Sequence, residues 1–214
     1  MKIAVLGTGS AGRALAGRLA ELGHTVSLGT RDPDVTRARP EHTDLPGVRL
    51  ATFADAASGA EVVVNATNGA ATLDVLAAVG EENLAGTVLV DVANPLDFSA
   101  GFPPSLSVKD TDSLGEQVQR AFPVARVVKS LNTMNAALMV HPERIGGGDH
   151  TVFVAGDDAD AKAVVTGLLT ELGHTDVLDL GGLSAARGTE MLLPLWLRIM
   201  QALGTAEFQI KVVR

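Results

Sequence analysis

The chain has 214 residues, 25 acidic against 17 basic side chains, a formal charge of −8 and no cysteine. The acidic balance excludes a general nucleic-acid binder, because counterion-driven binding to phosphates needs a basic face. The missing cysteine excludes disulfides, thiol nucleophiles and thiolate metal sites together.

Apolar residues make up 46% of the chain but aromatics only 3%, so an ordinary core has to be built from Ala, Val and Leu. No apolar run approaches the roughly 18 residues of a membrane span, and Lys2 leads straight into an apolar run rather than a signal sequence. The expectation is a cytoplasmic protein with small-molecule partners and neither a nucleic-acid nor a membrane partner.

Residues 2–7 form a short apolar run ending at glycine, and Leu15, Leu19 and Leu22 follow at helical spacing over 13–22. Gly23 stops that helix and 25–29 is β-rich, so the first 31 residues read as one βαβ unit. Further strands are predicted at 48–52, 61–66 and 87–92, with a helix at 71–79, as for a parallel sheet under helical crossovers.

Residues 96–113, with Pro103, Pro104 and several Ser and Asp, read as a loop; 114–121 reads as a helix and 125–131 as a strand. After a glycine run at 146–148 come a strand at 151–155, a helix at 160–172 and a strand at 176–180. A mostly apolar helix over 184–203, interrupted at Pro194, needs a buried home against the main domain or a second subunit of a homodimer. Phe208, Ile210 and Val212 alternate like a final strand.

The fold class expected is α/β: a Rossmann-type parallel sheet with helices on both faces, over residues 1–142, and a small C-terminal α/β piece over 143–214 covering the cleft.

Gly7-Thr8-Gly9-Ser10-Ala11-Gly12 fits G-x-G-x-x-G and lies between a strand and a helix, six residues into the chain. The first glycine makes the turn, the second admits pyrophosphate to the backbone, and the third packs helix on strand, while the helix N-terminus favours the anion.

The second strand ends in Gly29-Thr30-Arg31 rather than an acid that would hold ribose hydroxyls. Thr30 can donate to a 2′-phosphate, and Arg31 can pair with it or stack on adenine, which favours NADP(H) over NAD(H). Asp32 comes late for the ribose and Asp32-Pro33 also suits a helix cap; Arg37 and Arg39 are supplementary candidates or surface charge.

Asn65-Ala66-Thr67-Asn68-Gly69 and Asp91-Val92-Ala93-Asn94-Pro95-Leu96 fall at strand ends, where parallel sheets bind ligands, so Ala66, Thr67, Asn68, Asn94 and Pro95 are candidates for the ribose and nicotinamide. Asn, Gly and Pro in turns have an ordinary structural role as well. Thr133, Met134 and Asn135, after the strand at 125–131, are candidates for the same cleft.

The histidines at 24, 42, 141, 150 and 174 show no metal-ligand spacing, and the absence of Tyr excludes tyrosine-lysine catalysis. Lys129 is the one lysine near the expected cleft, as an acid or in a strand-end structural or phosphate-side role. No catalytic side chain and no metal ligand is assigned.

Gly29-Thr30-Arg31, Ala93-Asn94-Pro95-Leu96, Val128-Lys129-Ser130-Leu131-Asn132-Thr133, Val154-Ala155-Gly156-Asp157-Asp158 and Leu178-Asp179-Leu180-Gly181-Gly182-Leu183 accompany the glycine loop. Together they resemble the NADPH-dependent coenzyme F420 reductases over nearly the whole chain.

The resemblance implies NADP(H) in the first half, the deazaflavin coenzyme F420 as co-substrate against its nicotinamide, and direct hydride transfer between the two rings. The alternatives are a free flavin or other small acceptor, or an NADP-binding sensor without turnover.

Overall fold

Alternation along the strands decides which face of the sheet each residue serves. In β1 (Lys2–Leu6) Ile3 and Val5 pack into one buried cluster and Ala4 and Leu6 into another. The same split separates Val62 and Val64 from Val63, and Val88 and Val90 from Leu89. Both faces are buried, so these strands read as continuous apolar runs rather than polar–apolar alternations.

The computed structural model describes residues 1–40 and 43–214; His42 lies outside them. After β1 come α1 (Ser10–Glu21), β2 (Thr25–Thr30), α2 (Pro33–Arg37), β3 (Val48–Thr52), α3 (Phe53–Ala57), β4 (Val62–Asn65), α4 (Thr72–Val79), α5 (Glu81–Leu84) and β5 (Val88–Asp91). Leu15, Ala16 and Leu19 lay one face of α1 on the sheet, each buried leucine contributing about 1.5–3 kcal/mol. Gly23, at φ 90°, ends the turn back to β2.

The chain continues through β6 (Leu96–Asp97), β7 (Ser105–Leu106), α6 (Leu114–Ala121), β8 (Arg126–Ser130), α7 (Ala136–Val140), β9 (Thr151–Gly156), α8 (Ala159–Glu171), β10 (Asp176–Asp179), α9 (Ala186–Met191) and α10 (Leu193–Leu203). Pro194 sits in the first turn of α10, where its missing N–H is harmless, so the expected long helix is two helices.

The main sheet has eight strands in the order β10-β9-β8-β5-β4-β1-β2-β3. From β3 to β8 all neighbours are parallel, the order reversing at β1 and β4, as in a Rossmann fold. The strand pair β8–β9 is antiparallel and β10 runs parallel to β9, so the last two strands oppose the other six.

Three expectations are corrected. The stretch 96–113 is not all loop, because β6 and β7 pair as a short hairpin through Leu96–Leu106 and Asp97–Ser105. The tail 208–212 is not a strand; Thr151 N–H donates to the Ile210 carbonyl at 3.0 Å and Val212 N–H to Thr151 Oγ1 at 2.9 Å, a side-chain contact that replaces a ladder. Residues 143–214 form no separate sheet: β9 and β10 extend the main one, and Val152, Val154, Val165 and Leu169 share a cluster with Ile3 and Val5.

Candidate active site

The three glycines of the first loop differ in what surrounds them. Gly7 adopts φ 107°, and a Cβ there would lie 2.7 Å from the Ala66 carbonyl oxygen; at Gly12 it would lie 1.9 Å from the Gly7 oxygen. At Gly9 a Cβ would meet nothing within 4 Å. The first and third positions are thus closed by the protein's own backbone, and the second opens onto free space.

Gly9 is also the N-cap of α1 and offers no side chain to its first-turn N–H groups, and no acid stands in that turn. By contrast, Asp32, Thr52, Ser113, Asn135 and Asp158 each cap a helix with a side-chain oxygen. The amides of α1 are left for an external anion.

At the end of β2 the Asp32 carboxylate accepts from Asp34 N–H at 2.9 Å and Val35 N–H at 3.0 Å, which engages it in capping α2. Thr30 is buried and its hydroxyl pairs with that of Thr36 at 2.8 Å, so it supports the turn rather than facing solvent. Arg31 is exposed beside a hollow of about 210 Å³ whose other walls are Thr52, Phe53, Ala54, Ala71, Asp74, Val75 and Ala78. Arg37 is turned to Asp34 at 2.9 Å.

A second cleft, of about 340 Å³, opens at the carboxyl ends of β1, β4 and β5. It brings together Ser10, Ala11, Ala66, Thr67, Asn68, Asn94 and Met134 from four loops distant in sequence, together with Gly69, Val92, Ala93, Leu96, Phe98, Ala136 and Met139. No ionisable side chain and no residue after Met139 lines it, so the C-terminal helices expected as its roof do not reach it. Of the sequence candidates, Thr133 is buried beneath the loop, and Asn135 caps α7 through Ala137 and Leu138 N–H while donating to the Ala206 carbonyl. Pro95 is buried too, its carbonyl accepting Ser107 N–H, and none of the three lines the cleft.

The cleft loops are tied together. Asn94 Nδ2 donates to the Asn132 carbonyl at 2.8 Å and Asn132 Nδ2 to Asn94 Oδ1 at 3.0 Å. This reciprocal pair holds the turn after β8, where Leu131 takes the left-handed φ of 61°, a conformation that costs a branched side chain of order 1 kcal/mol. Gly69 was not singled out from the sequence, yet a Cβ there would lie 2.0 Å from the Asn94 carbonyl oxygen. The Asn68-Gly69 dipeptide marks a turn but not a loop-to-loop contact.

Beneath the cleft lies a buried ion cluster. The Lys129 ammonium contacts Asp91 Oδ2 and Glu190 Oε1, both at 2.8 Å, and donates to the Ala93 carbonyl; all three charged side chains are at most 1% exposed. Burial opposes the charge on Lys129, but Asp91 and Glu190 outweigh it and hold the ammonium above the usual lysine pKa.

Asn65 Nδ2 donates to Asp91 Oδ1 at 2.8 Å, and Thr67 Oγ1 donates to Asn65 Oδ1 at 2.6 Å, carrying the network up to the cleft wall. Glu190 also accepts the Leu114 and Gly115 N–H groups of α6 at 2.8 and 3.1 Å. Lys129 is thus fully buried within this cluster, does not line the cleft and meets no ligand directly. Among the described residues no group of three or more His, Asp or Glu side chains could hold a metal ion, and no helix is long and apolar enough to cross a membrane.

Comparison with known proteins identifies the family. The profile of the family described as NADP oxidoreductase coenzyme F420-dependent matches residues 2–95. The chain is 33% identical over 210 residues to the F420-dependent NADP reductase of Methanothermobacter marburgensis, covering 93% of this chain and 92% of that one.

It is also 31% identical over 200 residues to the metalloreductase STEAP3 of Rattus norvegicus, covering 91% of this chain but only 38% of that relative. Among solved structures, a protein from Arthrobacter sp. FB24, provisionally assigned as an F420-dependent NADP-reductase, superposes over 100% of both chains with a TM-score of 0.98 and 62% identity.

Proposed function

The chain belongs to the coenzyme F420-dependent NADP oxidoreductase family, and from that premise we propose that it transfers hydride between NADP(H) and the deazaflavin coenzyme F420. The observation that carries the reading is the junction of the uncapped α1 N-terminus at Gly9 with a cleft that has no ionisable lining. The first fits a pyrophosphate and the second a pair of flat rings.

Bound there, NADP(H) supplies or takes up a hydride at its nicotinamide. The chain's own part is to hold, orient and dry the reactants. The α1 amides and the open Gly9 position take the pyrophosphate, with Thr8 and Gly12 shaping the loop. Ala66, Thr67, Asn68 and Asn94 present small and amide side chains at the nicotinamide end, where Met134 limits the cleft, and Pro95 shapes the loop from below. Transfer between two positioned rings needs no nucleophile, so a site without acid or base suffices.

The reading keeps the protein in the cytoplasm, acting on small molecules with no nucleic-acid or membrane partner. The exposed Leu195 and Leu203 of α10 are assigned to the second subunit of a homodimer. A different small acceptor is the second reading, favoured by the 31% identity to a metalloreductase.

NADPH mixed with oxidised F420 and substoichiometric protein should lose nicotinamide and deazaflavin absorbance together. Absence of turnover with F420, but turnover with a flavin, would transfer the reading to the second acceptor.

The choice of NADP(H) rests on Arg31. With Asp32 capping α2, Arg31 is the charged group at the end of β2 left to face a 2′-phosphate. Arg31→Ala should remove a charge-assisted contact of about 1.5–3 kcal/mol, weakening NADPH tenfold or more and leaving NADH nearly unchanged. Titration of both nucleotides checks this, and equal loss for both would remove the phosphate assignment.

A further inference from the structure

Only seven of the 214 residues are aromatic, six Phe and one Trp. Among the described residues two of these rings stand well exposed, Phe98 at 54% and Phe102 at 59%. Trp196 and Phe208 stack on each other in a buried cluster, and Phe53, Phe122 and Phe153 are half-buried. Both exposed rings lie on the β6–β7 hairpin, which leaves the cleft loop directly after Asn94-Pro95.

The hairpin is built rather than loose. Leu106 is buried against its base, Ser107 N–H donates to the Pro95 carbonyl at 2.9 Å, and Asp97 Oδ1 accepts Ser99 N–H at 2.8 Å. Gly101, at φ 93°, donates its N–H to the Phe98 carbonyl at 2.9 Å, closing a tight turn that fixes where Phe98 starts. Phe98 itself lines the cleft, with Asn94, Leu96 and Met134.

Burying an apolar ring is favourable, and a chain so poor in aromatics holds Phe98 in water at the edge of its cleft, with Phe102 exposed on the same hairpin. A ring held in this way presents a π face. Its natural complement is a planar conjugated system, which packs offset or edge-on against an aromatic. No ionisable side chain lines the cleft, so beside Phe98 no side-chain charge selects a charged occupant.

From this we infer that Phe98 is a specificity-determining contact for the acceptor, packing on the planar deazaflavin ring on the solvent side of the cleft, with Phe102 extending the same aromatic wall. The inference rests on the proposed function, since it takes the acceptor to be a deazaflavin. The nicotinamide end of NADP(H), seated deeper against Ala66, Thr67 and Asn94, does not depend on Phe98.

The test separates the two claims. Oxidised F420 is titrated, by its own fluorescence, into protein saturated with NADP⁺, which forms a ternary complex without turnover. Phe98→Ala should weaken F420 about five- to tenfold, Phe98→Leu should recover little, and Phe98→Tyr should stay near wild type, because the π face is what counts. Phe102→Ala should show a smaller loss.

NADP⁺ binding and the circular dichroism spectrum should be unchanged in all four, since both side chains are exposed. Wild-type F420 binding that survives Phe98→Ala, or an equal loss of NADP⁺ affinity, overturns the inference while leaving the proposed function standing. A wild type that binds NADP⁺ but not F420 overturns the proposed function, and the inference with it.

Discussion

Lys129→Met is expected to cost the fold about 3–5 kcal/mol, because it removes the only cation from a fully buried cluster and leaves two carboxylates facing each other. Asp91 and Glu190 lie on β5 and α9, and Lys129 on β8 is bonded to both at 2.8 Å. Methionine fills the space of the lysine stem, so the loss isolates the charge from the packing.

The damage should also reach the cleft, since the same ammonium holds the Ala93 carbonyl directly before Asn94. Urea denaturation checks the first expectation. Combining Lys129→Met with Glu190→Gln should recover part of the loss, because one uncompensated charge is gone. A single variant within 1 kcal/mol of wild type, on an order-of-magnitude scale where breaking a buried pair costs several, would mean that the cluster is not ionised as drawn.

Gly9→Val and Gly12→Ala should fail in opposite ways, although the two glycines belong to one loop. At Gly9 no protein atom lies within 4 Å of an added Cβ, and its extended φ of −74° is open to any residue. The valine variant should fold with a near wild-type melting temperature and lose NADPH binding by at least about a hundredfold, a cost of roughly 2.7 kcal/mol.

At Gly12 the added carbon would sit 1.9 Å from the Gly7 carbonyl oxygen, so even alanine should destabilise by about 3 kcal/mol or more. Thermal unfolding paired with nucleotide titration distinguishes them. Unimpaired NADPH binding in the folded Gly9→Val protein would show that the pyrophosphate does not pass there.

The sequence by itself determined what depends on neighbouring residues. Apolar runs bounded by glycine located the parallel strands, Leu15 and Leu19 located α1, and the spacing of Gly7, Gly9 and Gly12 identified the phosphate loop. Each of these rests on a local period or on a backbone conformation that one residue type permits. The turn at Gly7 and the bare N-terminus of α1 follow from those residues alone.

Contacts between distant segments were decided only by the tertiary structure. Lys129 stood out in the sequence only as a lysine near the cleft, and nothing pointed to Asp91 and Glu190 as its partners, since a charge in a sequence carries no sign of its partner; the fold brings them within 2.8 Å across 38 and 61 positions of chain. Strand direction is equally nonlocal. The residues of β9 and β10 read as strands, but their run opposite to β8 depends on how the connection through α7 returns the chain.

Phe208, Ile210 and Val212 alternate as a strand should, yet the Thr151 hydroxyl takes the Val212 N–H and the ladder never forms. Asp32, ambiguous between ribose ligand and helix cap, becomes a cap once α2 turns its amides onto it. Even Gly69 needed the fold: its turn is local, but its lack of a side chain is required by the Asn94 carbonyl of another loop, which no spacing along the chain reveals.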